Sequence, residues 1–302
     1  DEGICSHCDN FDKEIKPSWI AGTDNNDSLI KMGEAIKARN KNKDFDCIIG
    51  LSGGLDSSYT AYIAVKKMGL RPLLFHVDAG WNTDQAVSNI EKLVDGLGLD
   101  LYTDVVNWNS VKRMQVAFLR SGIPDQDLVQ DAAFFSGLYR FAREYNVKDI
   151  LTGSNFSTEC CREPEDWGGY LGIDKTLFND IWKKCGDGTS NSDFPLIDII
   201  VYKFWYQKAV GMKVHHPLNL VSFLKSDAER ELNSKFGWQK FQHKHHESRF
   251  TRFYEDYWLP KRFGFEKRRA HFSSLIMTNQ MNREEALKRL SKPELDDHFL
   301  QQ

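Results

Sequence analysis

The chain has 302 residues, 27% charged and 41% hydrophobic, with a net charge of −3. That is enough to bury a core in one large or two modest domains without staples, and the composition excludes disorder over most of its length. No run of 18 apolar residues exists, which excludes a transmembrane helix, and the small net charge argues against a nucleic-acid binder as a whole.

Residues 1–28 are polar and rich in Asp and Asn, and read as an irregular arm carrying Cys5-Ser6-His7-Cys8. Helical spacing follows over 28–43. The run Asp46-Cys47-Ile48-Ile49-Gly50-Leu51 is a buried strand by length and by its Ser-Gly-Gly stop. A helix is predicted over 56–68, a strand over 71–77, a helix over 83–97 and a strand over 99–106. A further helix over 129–145 leads to a fourth strand, Asp149-Ile150-Leu151-Thr152, ending at Gly153-Ser154-Asn155. Strand and helix alternate at βαβ spacing, which predicts an α/β fold with a doubly wound parallel sheet.

After residue 156 the periodicity weakens. Residues 156–192 are acidic and rich in Trp, Gly and Cys, and read as an irregular segment facing substrate. Residues 194–207 mix strand and helix signals. Helices are predicted over 225–236, 248–263 and 282–290. The chain thus divides into an arm (1–28), a nucleotide core (29–155) and a helical C-terminal region (156–302). Residues 235–269 hold ten Lys/Arg against four Asp/Glu, a local +6 on a chain whose remainder carries −9. Such asymmetry points to an anionic ligand or to a solvated helical face.

The chemistry centres on Gly50-Leu51-Ser52-Gly53-Gly54-Leu55-Asp56-Ser57-Ser58, between a strand and a helix. Glycines let the backbone turn and aim successive N–H groups at an anion. Ser52, Ser57 and Ser58 add hydroxyls, and the helix N-terminus adds its dipole. Asp56 opposes phosphate unless it helps to hold Mg²⁺ or anchors the loop. A Walker A loop is excluded because no lysine follows the glycines. Gly50-Leu51-Ser52-Gly53-Gly54 also fits a nucleophile elbow, which would not require Asp56-Ser57-Ser58.

Ser52-Gly53-Gly54-Leu55-Asp56-Ser57 resembles the PP-loop signature SGGxDS of the N-type ATP pyrophosphatases, of the adenine nucleotide alpha hydrolase-like fold. The resemblance implies that ATP is split into AMP and pyrophosphate with Mg²⁺. It also implies that His76, Val77 and Asp78 meet adenine and ribose, and that Gly153 closes the nucleotide site. Five further stretches are similar to N-acetyl sugar amidotransferases of O-antigen and nonulosonic-acid pathways. They are Thr158–Glu163, Gly211–Val214, Phe236–Trp238, Lys244–Arg252 and Lys267–His271. One departure stands out: Gln242 and His243 occupy the place before Lys244 where glycine is expected.

The amidotransferase resemblance implies a reaction. The acetamido group of a nucleotide-linked N-acetyl sugar becomes an acetamidino group through an adenylated imidate and ammonia, in lipopolysaccharide biosynthesis. It implies that Glu159, Arg162, Lys244, Glu247 and Arg252 bind substrate, with Asp56, Lys267 and Arg268 as the catalytic groups. No glutaminase is recognisable in the chain. The resemblance implies a separate glutaminase coupled to a cyclase-type subunit that channels ammonia. A PP-loop tRNA thiolase or a non-catalytic nucleotide-binding module are the alternatives. Acidic overall charge argues against the first, and the complete SGGxDS loop against the second.

Six cysteines in 302 residues are too few for a disulfide scaffold. Cys5-x-x-Cys8 is half of a four-ligand zinc site. Its other half comes from Cys160, Cys161 or Cys185, or, as the resemblance implies, from a pair upstream. The histidines at 215, 216, 243, 245 and 246 have no carboxylate at ligand spacing. They read as substrate-contacting or surface residues and not as a second metal site. No signal peptide is visible, so the cytoplasm is the expected location.

Overall fold

In the computed structural model the described residues are 3–17, 19, 23–163, 167 and 172–292. Strand β1 (Cys47–Gly50) has the steepest apolar signal and occupies the centre of the sheet. It pairs in parallel with β2 (Pro72–Asp78), Cys47 opposite Pro72, and with β4 (Asp149–Leu151), Ile48 opposite Ile150. β3 (Leu101–Val105) lies beyond β2, and β5 (Lys213–His215) lies beyond β4. The order β3-β2-β1-β4-β5 with parallel pairing is a doubly wound sheet, as expected from the sequence.

Alternation along the strands divides the core into two faces. Cys47, Ile49 and Leu74 point to one face, under α2 (Asn26–Arg39), α3 (Leu55–Lys66), α4 (Asp84–Leu97) and α9 (Lys225–Phe236). Ile48, Leu73 and Phe75 point to the other, under α6 (Leu128–Glu144). Burying both faces explains why the strands are continuous apolar runs. The strand order reverses between β1 and β4, so the C-terminal ends of these two strands open a crevice at the switch point.

The opposite end of the sheet is fastened by charge. Asp46, before β1, accepts hydrogen bonds from the Arg71 backbone and guanidinium. Asp149, at the start of β4, is 1% exposed. It accepts from Arg39, from Asn40 at 2.9 Å and from His215 at 2.8 Å.

Several expectations need correction. The arm is not irregular: Cys5 caps a helical turn, α1 (Ser6–Asn10), which continues through a π turn, Phe11–Ile15. Ile15 and Trp19 then bury against Cys160. The 156–192 segment contains α7 (Phe156–Glu159) and a capped helix, α8 (Lys175–Cys185). Phe178 and Ile181 of α8 pack with α5 (Trp108–Ser121). The mixed signals near 200 resolve into a π-helix, Val201–Ala209, and the exposed edge strand β5. The predicted 248–263 helix is α10 (Arg249–Phe253), a π turn (Tyr254–Trp258) and α11 (Leu259–Phe263). Helix α12 (Arg268–Met277) was not legible, and α13 (Arg283–Leu290) was.

Candidate functional site

The turn between β1 and α3 is held from behind. Gly53 has φ +82°, and a Cβ there would sit 2.5 Å from the Ala86 carbonyl oxygen, so glycine is required. Buried Trp238 donates its indole N–H to the Gly53 carbonyl at 3.2 Å, and Asn89 donates to the same oxygen at 3.3 Å. Within the loop, Ser52 N–H donates to Ser57 Oγ and Gly54 N–H donates to Ser52 Oγ, each at 3.2 Å. The loop shape is therefore fixed before any anion arrives. Gly153 serves the same geometry from β4. A Cβ there would lie 2.8 Å from the Asp56 backbone carbon.

C-terminal residues complete the turn. The Glu247 carbonyl accepts from Thr83 N–H, and Arg249 N–H donates to the Trp81 carbonyl, so this segment lies along the loop after β2. That placement delivers the Glu247 carboxylate to Ser52 Oγ at 3.2 Å. Lys244 Nζ donates to Asp56 Oδ2 at 2.8 Å, to Glu159 Oε1 at 2.6 Å and to Thr158 Oγ1 at 3.1 Å. Burial alone would lower the Lys244 pKa, but the two carboxylates outweigh it and hold the ammonium charged.

Two cavities meet at Ser52, His245 and Glu247, which line both. The smaller, about 100 Å³, lies over the first turn of α3 and is faced by Lys225, Lys244, Arg268 and Arg289. Burial pushes the Lys225 ammonium below its ordinary range. Asp56, Glu229 and Glu247 face it as well, and four cations gathered at a helix N-terminus suit a polyphosphate. The larger, about 540 Å³, opens at the ends of β1 and β2, where His76, Val77 and Ser154 line it. His76 donates through Nδ1 to the Leu51 carbonyl at 2.7 Å and accepts at Nε2 from Asn82 at 3.0 Å. Burial pushes its pKa down, which matches this neutral tautomer.

The far wall of the larger cavity is acidic and was not foreseen. Asp125, Asp127, Asp131 and Glu255 line it around Lys267. Burial first, and then the Asp131 and Glu255 charges, push Asp127 up to about 7. Burial and Asp125 push Asp131 up to about 6. Lys267 Nζ lies 3.2 Å from Glu163 and 3.5 Å from Glu255. The only sequence trace of this wall is the Asp125-x-Asp127-x-x-x-Asp131 spacing.

The predicted site residues thus separate. Ser52, Gly54, Asp56, Ser57, Lys244 and Glu247 come together at the loop, with His76, Val77, Glu159 and Lys267 on the larger cavity. Gly53 and Gly153 shape the loop without lining either cavity. Ser58 is a correction: it is fully buried within α3 and its hydroxyl turns into the core. Asp78 closes the β2 turn, its carboxylate accepting from Gly80 N–H and Asn82, and it lines neither cavity. Arg162 is exposed, and neither it nor Arg252 lines either of these two cavities. Arg268 reaches the smaller cavity, but its guanidinium is bound by Glu266 at 2.7 Å and by the Lys292 carbonyl at 3.0 Å.

His243 and His246 are buried, His215 and His245 are half-buried, and His216 is exposed. His215 pairs with Asp149, and buried His246 with Asp256 at 3.0 Å. His245 has φ +63°, so the left-handed backbone falls there and not at the expected glycine before Lys244. It pairs with Glu255 at 3.1 Å. Cys5 and Cys8 are exposed, with sulfurs 3.4 Å apart. They stand within electrostatic reach of Cys161, whereas Cys185 packs in a different cluster with α8.

Residues 247–302 match the family described as LPS biosynthesis protein WbpG-like, C-terminal domain. Among solved structures the chain is similar to an NH3-dependent NAD synthetase from Campylobacter jejuni. Identity is 17%, coverage is 91% of this chain and 100% of that one, and the TM-score is 0.41. It is also similar to an NMN synthetase from Francisella tularensis, at 17% identity, 74% and 93% coverage and a TM-score of 0.34. No curated protein matches the chain by sequence. The doubly wound sheet, the SGGxDS turn on its central strand and the C-terminal match uphold the resemblance read from the sequence.

Proposed function

We propose that the protein is an ATP-dependent amidotransferase that converts an acetamido group of a nucleotide-linked N-acetyl sugar to an acetamidino group. The observation that carries this reading is the position of the SGGxDS loop, between a small cavity that gathers four cations and a larger open one. The lipopolysaccharide-type match over 247–302, which supplies Glu247 to Ser52, supports the substrate class.

An amide carbon is a poor electrophile and its oxygen a poor leaving group. Adenylation of that oxygen forms an O–P bond and expels pyrophosphate. Ammonia then forms the C–N bond and AMP leaves with the oxygen. In this reading the smaller cavity takes the departing pyrophosphate, held by the α3 N-terminus, Lys225 and Arg289. Lys244 keeps Asp56 and Glu159 oriented. The larger cavity holds the nucleoside beside His76 and Val77. Lys267 offsets charge that develops on the amide oxygen or the α-phosphate.

The carboxylates of Asp56, Glu229 and Glu247 facing the smaller cavity are hard oxygen donors that fit Mg²⁺, which would neutralise phosphate charge there. Cys5 and Cys8 suit one tetrahedral zinc ion, whose thiolates lie about 3.8 Å apart. Ammonia comes from a separate glutaminase through a cyclase-type subunit, and the setting is cytoplasmic. No helix among the described residues is long and apolar enough to cross a membrane. The test is the fate of ATP. Substrate- and ammonium-dependent release of AMP and pyrophosphate is expected, and release of ADP and phosphate would reject the reading.

A further inference from the structure

Three side chains without a task in that reaction meet between the two cavities. His245 precedes α10, Glu255 lies in the π turn after it and His271 is on α12. Each offers one donor atom, and the three donors lie within 4.8 Å of one another. His245 Nδ1 is 3.1 Å from Glu255 Oε1, and the His245 and His271 rings stand edge to face at 5.3 Å. A four-coordinate ion with bonds of about 2.0–2.2 Å separates its donors by about 3.3–3.6 Å. The set is therefore about 1 Å from closing on an ion, a distance that side-chain rotation covers.

The backbone and the cavities agree with this arrangement. A residue with a Cβ rarely adopts φ +63°, and such strain clusters at functional sites. Glu255 is 5% exposed, so its carboxylate is held in place. His271 lines the smaller cavity, Glu255 the larger, and His245 both.

We infer that His245, Glu255 and His271 bind one divalent transition-metal ion, with a further coordination position open to the larger cavity. Two imidazoles and one carboxylate are the donor set of open zinc sites, and imidazole favours zinc, cobalt, nickel and copper over Mg²⁺ and Ca²⁺. The open position takes water or a polar atom of a bound substrate. The opposing charges are Lys267, 3.5 Å from Glu255, and Lys244, whose ammonium disfavours positive charge at both imidazoles. Glu163 at 3.2 Å gives the Lys267 ammonium an alternative partner when the ion engages Glu255. The inference goes beyond the amidotransferase reading and stands without it.

The test uses the full chain carrying Cys5→Ser and Cys8→Ser, stripped of metal and titrated with Co²⁺. One equivalent should bind, with ligand-field absorption and no thiolate charge-transfer band. His271→Ala and Glu255→Gln should each weaken binding at least tenfold while circular dichroism stays unchanged. Lys267→Met should bind at least as tightly as the parent. Cu²⁺ paramagnetic resonance of the parent should show two coordinated imidazole nitrogens, a readout that needs no further substitution. No binding by the parent, a thiolate band, fewer than two nitrogens, or unchanged affinity in both folded variants would each overturn the inference.

Discussion

Lys244 Nζ stands 2.8 Å from Asp56 Oδ2, joining residues 188 positions apart in sequence. The same ammonium holds Glu159 at 2.6 Å. One buried cation thus ties the loop after β1, the helix after β4 and the C-terminal region into a single site. A loop carboxylate that would repel phosphate is neutralised before ATP arrives.

Because Lys244 retains Glu159, Asp56→Asn should leave the fold nearly intact. Turnover should fall by about 10²–10³, the usual loss on removing a positioned electrostatic group. Ser52→Ala, which removes the hydroxyl that receives Gly54 N–H and donates to Glu247, should act the same way. Steady-state rates and thermal melts of both variants check this. A collapse of melting temperature equal to the loss of rate would make the residues structural.

Lys267 and Arg268 are adjacent in sequence but serve different purposes. Lys267→Met should abolish most turnover, because it removes the cation of the larger cavity. Arg268→Met should lose about 2–4 kcal/mol of stability, because Glu266 and the Arg289 and Lys292 carbonyls lose this donor. Denaturant unfolding of the two variants compared with their rates separates the roles, and the reverse pattern would exchange them.

Asp149 sets an acid limit on stability. Burial alone would raise its pKa, but hydrogen bonds from His215, Arg39 and Asn40 outweigh it and hold the carboxyl at about 2. The unfolded value is near 3.9. A lowered folded pKa contributes stability that is fully present above about pH 4 and lost as pH falls through about 2, roughly 2 kcal/mol for this group. Asp149→Asn should lower stability at neutral pH and flatten the fall between pH 4 and 2. Unfolding curves across that range measure it, and parallel profiles would show that Asp149 is not a contributor.

Zinc should co-purify with the protein, and Cys5→Ser with Cys8→Ser should reduce it by one equivalent. Their sulfurs, 3.4 Å apart, already approach the spacing of two thiolates on one ion. Metal analysis of both proteins decides, and unchanged content in the double variant would remove these cysteines as ligands.

Much of the nucleotide half was legible because its signals are local. Ile48 and Ile49 make a buried run, and Ser52-Gly53-Gly54 mark a turn that only glycine at φ +82° can make. Edge strand β5 was hidden because it has three residues, two of them exposed, and carries no apolar period. Helix α8 was hidden because its buried stripe, Phe178 and Ile181, lies in a segment already crowded with aromatics. The acidic wall and the basic cavity were hidden for another reason. Lys225, Arg289, Asp127 and Glu255 each look like ordinary surface charges, and only tertiary packing brings them to the cavities.

The central claim is the exchange of an amide oxygen for nitrogen. Its most direct measurement is mass spectrometry of a diacetamido UDP-sugar incubated with the protein, ATP, Mg²⁺ and a high concentration of ammonium. Replacing O by NH lowers the product mass by about one unit, a change fixed by the reaction class. The account predicts that shift with ammonium, its loss when ATP is omitted, and no shift with glutamine unless glutaminase and cyclase-type subunits are added. An unchanged sugar mass alongside substrate-stimulated ATP cleavage would contradict it.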